Sequence, residues 1–60
     1  MTINDFIDMY VSMILRPAIN GRGYTGFVLS NNTKIFFKNS YIHANNKNKL
    51  AQHYRNIGAF

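Results

Sequence analysis

Two histidines, His43 and His53, and two aspartates, Asp5 and Asp8, are the side chains of this 60-residue sequence best suited to general acid–base work. A histidine pair accompanied by lysines would suit a metal-independent ribonuclease, one imidazole taking the proton of the attacking hydroxyl. The spacing argues against that chemistry. Neither histidine has a carboxylate or cysteine beside it in sequence to orient the ring, and neither has the i, i+4 partner that a helical metal site requires. Both aspartates fall in the first eight residues, where they suit the start of a helix. There is no cysteine, so the chain has neither a disulfide framework nor the Cys/His spacing of structural zinc. The expectation is a protein that is not an enzyme, with no catalytic residues, no metal and no cofactor. His53 is expected to pack at the border of an apolar helical stripe.

The charge pattern says more. The formal net charge is +5, and residues 16 to 60 carry Arg16, Arg22, Lys34, Lys38, Lys47, Lys49 and Arg55 without a single acidic side chain. Such a stretch favours a polyanion or an acidic protein as partner; the plainer alternative is solubilising charge. The segment Asn20-Gly21-Arg22-Gly23-Tyr24-Thr25-Gly26 is a turn by composition. It lacks the Gly-Lys-Ser/Thr ending of a Walker phosphate loop, though Arg22 beside Tyr24 could meet a phosphate and a base. The preference for Asn, Lys, Ile, Phe and Tyr, residues with AT-rich codons, suits a phage or mobile-element gene.

The amino-terminal segment carries aspartates where a secretory signal would carry lysine or arginine, and the apolar runs are far shorter than the roughly 20 residues that span a bilayer. The expectation is therefore a soluble chain in the cytoplasm, of the host if phage encoded, with no membrane partner. Asn31-Asn32-Thr33 matches a glycosylation acceptor only by pattern. A chain this short buries only about 60% of the surface its unfolded form exposes. Without disulfides or metal, self-association as a homodimer or binding to a partner is an expected source of further stability. The initial Met1 suits a whole small protein.

These residues must be positioned by few elements. Residues 2 to 15 predict an amphipathic helix, capped by Thr2 with Asp5 three residues on, and stopped by Pro17. Its face is Ile3, Phe6, Ile7, Tyr10, Val11 and Ile14. Phe6, Met9 and Met13 form a second stripe, an expected protein interface because methionine adapts to varied partners; the alternative is that the rest of the chain wraps around it. Thr25 to Ser30 and Thr33 to Lys38 predict a hairpin about Asn31-Asn32. A two-residue turn there sets Leu29 against Lys34, Val28 against Ile35, Phe27 against Phe36 and Gly26 against Phe37. Val28, Ile35 and Phe37 then face the core, with Phe27, Leu29, Lys34, Phe36 and Lys38 opposite; a slip of one residue exchanges these sets. Residues 39 to 44 predict a loop or a short third strand. Lys47 to Ile57 predict a helix capped by Asn45 or Asn46 and ended by Gly58, with Leu50, Tyr54 and Ile57 buried.

The expected fold is a single small α+β domain: N-terminal helix, antiparallel hairpin, C-terminal helix. Two functions fit it. The first is a basic nucleic-acid-binding module for RNA or single-stranded DNA. In it Arg22, Lys34, Lys38, Lys47, Lys49 and Arg55 meet phosphates, and Tyr24, Phe27 and Phe36 stack on bases. The second is a small inhibitor or regulator of a host defence or nucleic-acid-processing enzyme. It would bind an acidic or nucleic-acid-binding protein through Phe6, Met9 and Met13 and a basic surface.

Overall fold

The computed structural model describes residues 1–19, 21–38 and 41–59. The chain is α+β: helix α1 (Ile3–Tyr10), a 3₁₀ turn (Val11–Met13), strands β1 (Ile14–Ile19), β2 (Tyr24–Leu29) and β3 (Lys34–Lys38), and helix α2 (Ala44–Asn56). The sheet is an antiparallel meander in the order β1-β2-β3. Both helices bury their apolar residues against one side of it. Ile3, Phe6 and Ile7 of α1, Ile14, Phe27 and Leu29 of the sheet, and Leu50 and Tyr54 of α2 form the core.

Helix α1 starts as its sequence dictates, with the Asp5 amide donating to Thr2 Oγ1 at 3.1 Å. It ends a full turn earlier than the apolar periodicity implies. Residues 11 to 13 tighten into the 3₁₀ turn and the chain extends from Ile14. Ile14 is fully buried, as the helical pattern requires, but it is buried from a strand. Proline explains the choice. It drives the residue before it, Arg16, toward extended geometry, and a proline is accommodated in a strand at a sheet edge, where β1 lies. The third strand is thus residues 14 to 19. Residues 41 to 43 have no regular structure, and positions 39 and 40 lie outside the described residues.

The hairpin register differs by one residue from that of a two-residue turn. The Leu29 amide donates to Thr33 O at 2.8 Å and Leu29 O accepts from the Asn32 amide at 2.9 Å, which leaves Ser30, Asn31 and Asn32 as a three-residue loop. Asn32 takes φ 65°, which asparagine tolerates better than most residues. The Asn31 carboxamide oxygen accepts from the Thr33 amide at 3.0 Å. Phe27 therefore pairs with Ile35, Gly26 with Phe36 and Val28 with Lys34. Because side chains alternate, the slip turns β2 over relative to β3, so Val28 exchanges sides with Phe27 and Leu29 while β3 keeps the faces expected of it. Phe27, Leu29, Ile35 and Phe37 turn to the helices, and Val28, Lys34, Phe36 and Lys38 turn away.

Helix α2 is capped at His43, not at Asn45 or Asn46, and the His43 side chain makes no capping hydrogen bond. Its buried stripe is Asn46, Leu50 and Tyr54, while Ile57, expected inside, is 45% exposed. The helix closes on Gly58 at φ 71°, with Gly58 donating to Arg55 O and Ala59 to Tyr54 O, the paired bonds of a Schellman end. Asn46 is buried yet satisfied. Its Nδ2 donates to Asn4 Oδ1 at 3.0 Å, while Asn4 Nδ2 donates to Tyr41 O at 2.8 Å and Asn4 Oδ1 accepts from the His43 amide at 2.9 Å. This cluster joins α1 to the start of α2.

Candidate functional site

Among the described residues no helix covers the other side of the sheet. In register across β1, β2 and β3, its rows are Arg16, Val28 and Lys34, then Ala18, Gly26 and Phe36, then Tyr24 beside Lys38. Arg16 reaches this side through a bulge. Ile14 opposes Leu29 and Arg16 opposes Val28, so Leu15 is an extra residue that shifts the alternation of β1. The carbonyl left at the bulge, Ile14 O, accepts from His53 Nε2 at 2.6 Å, so that ring nitrogen carries the proton. His53, expected at the border of the apolar stripe, is half-buried beside Tyr54 and also holds α2 to the root of β1.

Phe36 is 38% exposed and its ring lies over Gly26. A Cβ built on Gly26 would stand 2.6 Å from Phe36 Cδ1 and would collide with Ile35 O, so glycine is what lets the ring lie close to the strand. Val28 is 7% exposed although it lies outside the helix-covered core. Arg16 and Lys34 flank it in register on the two neighbouring strands. Arg16, Lys34 and Lys38 are exposed and Tyr24 is half-buried. The only acidic side chains, Asp5 and Asp8, stand on α1 across the sheet. The open side is therefore cationic with an aromatic centre.

The residues singled out from sequence divide between the layers. Tyr24, Lys34, Phe36 and Lys38 come together on the open side, and Arg22 occupies the turn at the Tyr24 end. Phe27 does not join them. It is 1% exposed beneath α1, stacked on Phe6 with ring centroids 6.1 Å apart, which removes it as a stacking platform. Lys47, Lys49 and Arg55 lie on α2, in the other layer. There Lys47 sits 5.5 Å from the Tyr41 ring centre and Lys49 pairs with Asp8 at 3.0 Å.

The stripe expected on α1 is also dispersed. Phe6 is buried against Phe27, Phe37 and Tyr10, Met13 belongs to the 3₁₀ turn and is half-buried, and Met9 alone of the three is exposed. Arg16 and Gly26 are the site residues that sequence reasoning passed over. The signal for Arg16 was Pro17, whose bias toward extended backbone reaches the residue before it.

His43 and His53 are separated by ten residues of helix, roughly 15 Å along its axis. They cannot act on one substrate atom as a pair. Among the described residues no group of three or more His, Cys, Asp or Glu side chains is placed to hold a metal ion. A cleft of about 550 Å³ between the start of α1 and the end of β3 is lined by Met1 to Asn4, Phe36 to Lys38 and Tyr41, with no histidine or carboxylate side chain in its wall. Among the described residues no helix is long and apolar enough to cross a membrane. Comparison with protein-family models, curated proteins and solved structures finds no match for this chain.

Proposed function

We propose that this chain is a non-enzymatic nucleic-acid-binding module whose ligand is RNA or single-stranded DNA, held on the open side of the sheet. The observation that carries the reading is the grouping of Arg16, Lys34 and Lys38 around the exposed Phe36 ring, on a side without acidic residues. Lysine and arginine attract phosphate, and an aromatic ring on an uncovered sheet stacks on unpaired bases. A duplex keeps its bases paired and away from such a ring. The reading suits a cytoplasmic protein, where single-stranded nucleic acid is plentiful. The cations of α2 are secondary in this reading, since Lys49 is engaged with Asp8.

Binding of fluorescent oligouridine and oligothymidine, followed by anisotropy across a salt series, tests this. Two to four phosphate contacts on a single strand predict a slope of log K against log salt between about −1.4 and −2.8. Arg16→Ala and Lys34→Ala should each reduce the slope by up to about 0.7. Affinity indistinguishable from background at low salt contradicts the reading. So does nuclease-resistant capture of one stoichiometric protein partner, which would favour a regulator of another protein.

A further inference from the structure

The spacing along β3 defines the unit that the site would read. Lys34, Phe36 and Lys38 alternate onto the same side of the strand, so each lysine stands two residues, roughly 7 Å, from the ring and the lysines stand roughly 13 Å apart. Arg16 stands across β2 from Lys34, two strand spacings or roughly 10 Å away. Phe36 is seated on Gly26 with its outer surface in solvent. Cation, ring and cation in a row make a pattern of phosphate, base and phosphate.

We propose that the open side binds a single nucleotide unit flanked by two phosphates and laid along β3. Its base stacks on Phe36, one phosphate lies between Lys34 and Arg16, and the other meets Lys38. This rests on the nucleic-acid reading above and goes beyond it by naming the smallest ligand, a nucleoside 3′,5′-bisphosphate. Lysine's flexible four-carbon stem lets each ammonium lean toward the ring and close on phosphates nearer than 13 Å. The Arg16 guanidinium adds a forked contact to one of them, so the two ends of the unit are not equivalent. Tyr24, paired with Lys38, borders the second end.

The test is competition against labelled oligouridine by uridine 3′,5′-bisphosphate, uridine 5′-monophosphate and pyrophosphate. The bisphosphate is expected to displace the oligomer at a concentration at least about tenfold lower than either competitor, since it alone supplies a base and both charges. Phe36→Leu should weaken the bisphosphate roughly 5- to 150-fold, the range of one lost stacking contact, and leave pyrophosphate unchanged. Phe36→Trp should preserve the competition. Equal competition by the monophosphate, or no effect of Phe36→Leu, overturns the assignment. Steeply salt-dependent oligouridine binding alongside either result leaves the nucleic-acid reading standing, whereas absence of oligouridine binding overturns both.

Discussion

The two sides of the β2–β3 hairpin are built from similar residues and meet opposite fates. Phe27 and Phe36 each come from a strand interior, yet one is 1% exposed beneath α1 and the other 38% exposed on the open side. What separates them is the register of one short loop. With Ser30, Asn31 and Asn32 as a three-residue loop, β2 turns over relative to β3, so Phe27 goes to the helices while Lys34, Phe36 and Lys38 face outward. The helix side spends its aromatics on stability, since Phe6 meets Phe27, Phe37 and Tyr10 within a few ångströms. On the other side the aromatic lies among cations and stays in contact with water.

The sharpest way to break this contrast is to truncate both rings. Phe27→Ala should cost about 3–5 kcal/mol, as large buried aromatics do. A domain of this size has only about 3–9 kcal/mol in total, so the variant should be largely unfolded by circular dichroism at room temperature. Phe36→Leu should keep its unfolding midpoint in urea within the range of an ordinary surface change, about 0.5 kcal/mol. Comparable losses from the two variants would mean that the open side is not open.

Next in size is Gly26→Ala. The new Cβ would meet Ile35 O and Phe36 Cδ1, and crowding of this kind costs about 1–3 kcal/mol. Urea denaturation measures the loss. The same substitution displaces the Phe36 ring, so oligouridine affinity should fall with stability; a full loss of stability without change in affinity would separate the ring's seat from its role.

A smaller effect, confined to alkaline solution, belongs to the helix side. Burial pushes the Tyr54 phenol above its ordinary value of 10.0. The unfolded chain then loses that proton first as pH rises, so the stability gained from the neutral phenol is present below pH 10 and is lost as pH climbs through the folded-state value. Thermal unfolding of the wild type and Tyr54→Phe should agree at neutral pH apart from a constant offset. The wild type should fall more steeply above about pH 10. Parallel curves would show that Tyr54 is not sheltered.

Much of this architecture was legible in the residues. Thr2 with Asp5 marked the start of α1, Gly58 marked the end of α2, and the runs on either side of Asn31 and Asn32 marked two strands. Two things were hidden. Ile14 satisfies the apolar pattern of a helix and the interior position of a strand equally well, so periodicity alone assigned it to α1, and β1 with Arg16 went unseen. A tight two-residue turn would need positive φ at both asparagines and a three-residue loop at only one; of the two only Asn32 adopts it, and the faces follow. Tyr24, Lys34, Phe36 and Lys38 were recognisable as a combination of ring and charge. Phe27 was not separable from them until the register was known.

The central claim is that nucleic acid meets the open side of the sheet. Titrating isotopically labelled protein with oligouridine at low salt, and following backbone amide and side-chain resonances, tests it most directly. The account predicts that Arg16, Ala18, Tyr24, Gly26, Val28, Lys34, Phe36 and Lys38 shift together, while Met9 on α1 and Lys47 and Arg55 on α2 stay in place. Shifts concentrated on α1 or α2, or none at all, would contradict it.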